Sequence, residues 1–149
     1  MTARIDNIGI VVSDMPATIA FFEEIGLQLE GRGTFEGPWM DRTIDLDGAR
    51  CEVAMLRPPD GHGGVELSRF LSPPVASTEP LSAPVNTLGY LRVMVEVDDI
   101  DDVLARLQQR HGATLVGDVV NYENVYRLCY VRGPDGIFVG LAQQLGGGG

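Results

Sequence analysis

The chain has 149 residues, enough for one ordinary domain or for two small modules with a shared core, with no need of disulfides or metals. Its 44% hydrophobic and 21% charged residues are a globular composition, and no apolar run approaches the roughly 20 residues that span a bilayer. The net charge of -10 argues against nucleic acid, which wants clustered Lys and Arg; it suits a chain kept dispersed by self-repulsion, and also one that attracts a cationic ligand.

Ile5 to Val12 is a β-branched run of strand length. Ser13 or Asp14 can cap the helix that follows, and Pro16 is tolerated in a first turn. Ile19, Phe22 and Ile25 share a helical face, and Gly26 is a stop signal. Leu27 to Arg32 reads as a strand, and Thr34 to Trp39 as a Gly-Pro interrupted loop. Asp41 to Leu46 and Cys51 to Leu56 read as strands joined by a turn at Asp47-Gly48. Pro58 to Gly64 is a long turn, and Val65 to Phe70 the last strand of this half.

Ser72 to Asn86 holds four prolines and no periodicity, which marks a linker. Leu91 to Val97 is then a strand, with Asp98 or Asp99 as the next cap. Ile100, Val103, Leu104 and Leu107 follow the spacing of an amphipathic helix that ends at Gly112. Leu115 to Val120, Tyr126 to Val131 and Ile137 to Leu141 are three further strands. Gly146 to Gly149 is a flexible tail.

The two halves repeat one construction. Asn7-Ile-Gly-Ile-Val-Val-Ser-Asp and Arg92-Val-Met-Val-Glu-Val-Asp-Asp are both apolar runs closed by aspartate before a helix, and Pro59-Asp60-Gly61 and Pro134-Asp135-Gly136 both lead into a late strand. Each half reads βαβββ. The expected organisation is a first module over residues 1–71, a linker over 72–86, a second module over 87–145 and a tail over 146–149. The expected fold is α+β: helices cover one face of each sheet, and the other faces curl into a half-open mixed β-barrel with a shared cleft.

The start of the chain lacks a basic patch followed by an apolar stretch, so no secretory leader is expected. Cys51 and Cys129 lie in strand-like segments and read as two buried thiols of a cytoplasmic protein.

The duplicated βαβββ order, the Val-Ser-Asp and Val-Asp-Asp strand ends and the late Pro-Asp-Gly turn resemble the vicinal oxygen chelate superfamily. That superfamily includes glyoxalase I, extradiol dioxygenases, methylmalonyl-CoA epimerase and the bleomycin and fosfomycin resistance proteins. The resemblance covers Ile5 to Leu145. It implies metal ligands on the first and last strands of each module, usually His or Glu. The matching positions hold Asn7, Glu66, Arg92 and Gly140. Glu66 can ligate, Asn7 is a weak neutral donor, Gly140 has no side chain, and Arg92 is a permanent cation that would repel the ion. The usual metal site is therefore expected to be absent, and no cofactor is expected.

By strand alternation Glu66 and Arg92 both point into the cleft, where they either neutralise each other or engage a ligand; Arg92 suits a carboxylate or phosphate. Ser68, Met94 and Glu96 share their register, and ordinary barrel filling explains Met94. Trp39 offers a stacking surface or an interface contact. Arg127 and Cys129 share one face of a strand, with Tyr126, Leu128 and Tyr130 on the other. The candidate ligand-binding set is thus Asn7, Glu66, Arg92, Arg127 and Trp39. His62 lies in a Gly-rich turn and is expected to be solvated, and His111 suits the C-terminal dipole of its helix.

Three functions fit these residues. The first is a metal-independent protein that binds or sequesters a small metabolite or antibiotic. The second is a lyase or isomerase of the glyoxalase or epimerase type, with Glu66 as general base and Arg92 stabilising an enolate. The third is a glyoxalase-like metalloenzyme with unusual ligands such as His62 and Glu66. The expected partners are a small-molecule ligand and, from the resemblance, a second copy in a homodimer, with neither nucleic acid nor membrane.

Overall fold

The structure, a computed structural model, describes residues 4–76, 81, 83–89 and 91–146. Parts of the expected linker (77–80 and 82) and most of the expected tail (147–149) lie outside the described residues. The chain divides into two compact units, Met1–Ser77 and Thr78–Gly149. No helix among the described residues is long and apolar enough to cross a membrane.

The first unit runs β1 (Ile8–Val11), α1 (Met15–Ile25), β2 (Gln28–Glu36), α2 (Pro38–Ile44), β3 (Arg50–Arg57) and β4 (Val65–Ser72). Its open sheet has the order β1-β4-β3-β2, parallel between β1 and β4 and antiparallel elsewhere. The Asp14 carboxylate accepts from the Ala17 amide at 3.0 Å and starts α1, and Gly26, at φ 126°, ends it. The apolar face of α1 (Met15, Ile19, Phe21, Phe22 and Ile25) is buried, as are Ala54, Leu56, Val65 and Leu67 of the sheet. The register pairs Ala54 with Leu67 and Leu56 with Val65, so these four share one face.

The second unit repeats the plan with β5 (Val93–Glu96), α3 (Ile100–His111), β6 (Thr114–Tyr122), β7 (Tyr126–Arg132) and β8 (Phe138–Gln144), in the sheet order β5-β8-β7-β6. A 3-10 turn at Pro134–Gly136 leads into β8. Asp99 caps α3 by accepting from the Asp102 amide at 3.1 Å, and the Gln143 side chain accepts from the Ile100 amide at 2.9 Å. Ile100, Val103, Leu104 and Leu107 are buried as expected, as are Cys129, Val131, Val139 and Leu141. Each unit is thus a βαβββ module carrying an open four-stranded mixed sheet.

The expected strand at Asp41 to Leu46 and the expected loop at Thr34 to Trp39 are both corrected. β2 continues through Thr34 to Glu36, and Pro38–Ile44 is helix α2. Gly37, at φ 127°, breaks the strand, and Pro38 fits the first helical turn. The Asp41 carboxylate then accepts from the Gly48 amide at 3.0 Å and the Ala49 amide at 2.9 Å, folding the Asp47-Gly48 turn back onto the helix. Met40 is buried beneath it. The corresponding β6–β7 connection has no helix. It is a tight turn with Glu123 and Asn124 both left-handed, closed by the Val125 amide donating to the Tyr122 carbonyl at 2.9 Å.

Candidate functional site

The face of the first sheet turned away from α1 is a lattice fixed by pairing. Gly31, Met55 and Glu66 form one row, Gly33, Val53 and Ser68 the next, and Phe35, Cys51 and Phe70 the third. α2 walls this face with Trp39, Met40, Thr43 and Ile44, and together they enclose a groove of about 590 Å³. Phe35 and Trp39 meet edge to face, 6.5 Å between centroids and 89° between planes. Gly31 and Gly33 leave the floor low: a Cβ at Gly31 would meet nothing within 4 Å, and one at Gly33 only the Phe35 ring at 3.6 Å.

Glu66 is half-buried and lines this groove. Among the described residues of its unit no donor is within hydrogen-bond range of its carboxylate. Arg32 also lines the groove, but its guanidinium pairs with Glu52 at 3.3 Å. Burial pushes the Cys51 thiol up; the neighbouring Glu66 carboxylate raises it further, against a hydrogen bond with Ser68 that lowers it. Cys51 therefore enters the groove as a neutral, apolar group.

In the second unit, the face away from α3 holds Met94 beside Gly140, and Gly140 beside Tyr130. The Arg92 guanidinium stacks over the Tyr130 ring at 5.1 Å. A Cβ at Gly140 would lie 2.7 Å from the Met94 sulfur and 2.9 Å from Tyr130 Cε1. Arg127 is on the opposite face, donating to both Asp101 oxygens of α3 at 2.6 and 2.9 Å. Arg127 thus lies on the α3 side of the sheet, whereas Arg92 stacks over Tyr130. Asn7 precedes β1 and donates to the Asp6 carboxylate at 2.8 Å. His62 is exposed, with its amide bound to the Asp60 side chain at 2.9 Å.

Residues 4–141 match the family model described as the Glyoxalase/Bleomycin resistance protein/Dioxygenase superfamily. The chain belongs to this superfamily. A glyoxalase family protein of Bacillus cereus has a crystal structure 54% identical in sequence, with a TM-score of 0.93 over 98% of this chain and 97% of that one. The uncharacterized protein YwbC of Bacillus subtilis is 29% identical over 97% of this chain and 100% of its own length. TnmS3, an antibiotic binding protein from Streptomyces sp. CB03234, shares the fold at 22% identity and a TM-score of 0.59, over 96% of this chain and 97% of that one.

The metal chemistry of the superfamily does not fit the residues at its positions. Glu66 alone is a good donor. Arg92 brings a fixed positive charge, and Met94 and Tyr130 fill the space into which a side chain at position 140 would project. Among the described residues no group of three or more His, Cys, Asp or Glu comes together that would hold a metal ion.

The groove walls Phe35, Met40, Met55 and Phe70 escaped the sequence reading. The alternation Gly31-x-Gly33-x-Phe35 was the available signal, since it places two bare positions and one ring on a single face.

Proposed function

We propose that this protein binds and sequesters a small organic molecule, without a metal, in the groove of its first unit. The supporting observation is the groove itself: about 590 Å³, walled by Phe35, Trp39 and Phe70, with the carboxylate of Glu66, which has no donor among the described residues of its unit, within. That volume falls in the range of roughly 300–1,000 Å³ typical of small-molecule sites, which are largely apolar with a few placed polar groups. The antibiotic-binding relative supports the same reading at the level of fold. A cytoplasmic location suits the two free, buried thiols. A homodimer belongs to the reading through the family resemblance, and equilibrium sedimentation at a monomer mass would remove it.

The test is a ligand screen read by thermal stabilisation, followed by Gly33→Leu, which fills the floor at a position of ordinary backbone conformation. A ligand at 100 times its Kd stabilises by about 2.7 kcal/mol. That stabilisation should vanish in the variant, and its survival there would place the ligand elsewhere. Turnover of bound compounds would favour the lyase or isomerase alternative, with Glu66 as base and Arg92 stabilising an enolate, and proton exchange lost in Glu66→Gln would identify the base.

A further inference from the structure

The groove also carries information about what kind of molecule it takes, given that it is the binding site. Its floor at Gly31 and Gly33 is bare strand backbone, so nothing rises to break up a flat ligand lying on it. Three rings, Phe35, Trp39 and Phe70, border this floor. Two of them hold a fixed perpendicular arrangement, 89° between planes, so one offers an edge where the other offers a face.

Among the described residues lining the groove, the charge that is not already paired is negative. Glu66 sits in the same row as Gly31, two strands away, with Met55 between them. Its carboxylate has no donor among the described residues of its unit. Arg32, the one basic residue among those lining the groove, commits its guanidinium to Glu52. Ser68 offers a hydroxyl one row away. A half-buried anion beside apolar walls gains most from a cation that brings its own donors, and ring faces attract cations as well.

We infer that the groove selects a flat aromatic molecule bearing a single cationic nitrogen, the ring system over Gly31 and Gly33 and the nitrogen toward Glu66. This rests on the groove being the binding site. The net charge of -10 draws such a cation in from solution but does not choose its shape; the floor and the rings do.

The test uses three three-ring probes of similar size at neutral pH: 9-aminoacridine as cation, acridine as neutral ring and anthracene-9-carboxylate as anion. Titrations on the full chain follow quenching of Trp39, the single tryptophan. The cation should bind about tenfold tighter than acridine, and the anion weakest. Glu66→Gln should weaken the cation by about tenfold and leave acridine within about twofold. Gly33→Leu should abolish binding of all three; where that variant does not fold, Gly31→Val reads the same floor. Equal affinity for cation and anion, an unchanged cation affinity in Glu66→Gln, or no binding of any probe to the parent chain would overturn the inference and leave the groove open to another class. Unchanged binding of all probes in a folded floor variant would instead overturn the groove as the site.

Discussion

Two buried thiols, Cys51 and Cys129, tie the chain's stability to alkaline pH. Burial is the largest cause of the raised pKa at both Cys51 and Cys129, with nearby carboxylates adding to it. A folded-state pKa above the unfolded one means that the native state holds the proton more tightly. The associated stability is fully present below the unfolded thiol pKa and is lost as pH rises through the folded value. Urea midpoints should therefore be flat near pH 7 and fall above about pH 9, the range where an unfolded thiol ionises. The pair Cys51→Ala and Cys129→Ala should flatten that fall, and an identical alkaline slope in the double variant would show that other groups cause it. Gly140 makes a second prediction. Gly140→Ala drives a methyl toward Met94 and Tyr130 and should cost about 1 kcal/mol in urea unfolding. Met94→Ala in the same chain should recover part of that, because the far end of Met94 is the nearest obstacle. The internal repeat, read with the family resemblance, pointed to Asn7, Glu66, Arg92 and Gly140. The filling of the space at Gly140 was not legible, because a bare glycine does not say which neighbours have moved into its place.

At the scale of elements, the helices divide by length. α1 and α3 carry their own signals: an aspartate cap, an apolar stripe at helical spacing and a glycine stop. Asp99→Ala should cost about 1 kcal/mol, the usual worth of such a cap, measured by thermal or urea unfolding. α2 is too short to display a period and too short to be stable alone. It is held from outside by the two amides that Asp41 accepts and by burial of Met40. Thr43, Ile44 and the Asp47-Gly48 pair imitate a hairpin in the sequence, which is why the helix was read as a strand. Asp41→Ala should loosen this wall, giving a red-shifted Trp39 emission and greater quenching by acrylamide; a spectrum identical to the parent's would show that Asp41 does not hold the wall. The strands fared better. Their alternation and β-branched runs placed seven of them to within a few residues, and only the reach of β2 past Arg32 was missed, because Gly31 and Gly33 weaken the strand signal where they create the groove.

For the whole molecule, the duplication was the most legible feature, since it is written in the order of elements and not in any one residue. The boundary between the halves is open to a direct test. Residues 84–89 are exposed, and Leu88 is fully so. Brief chymotrypsin digestion should cut first at Leu88, between β4 and β5, leaving two fragments that each keep one four-stranded sheet; first cuts within β3 or β7 would dissolve the proposed boundary. The halves differ most between their third and fourth elements. Residues 37–49 join β2 to β3 through α2, whereas residues 123–125 join β6 to β7 by a tight turn. Closing the longer connection costs only about 1 kcal/mol more, since loop entropy grows slowly with length. A hairpin tip is therefore a cheap place for evolution to add material, and a duplicated scaffold offers two such tips, one elaborated and one plain. The plain tip is a graft site: a segment like 37–49 set between Tyr122 and Tyr126 would raise a wall of the engineer's choosing beside the second unit's sheet.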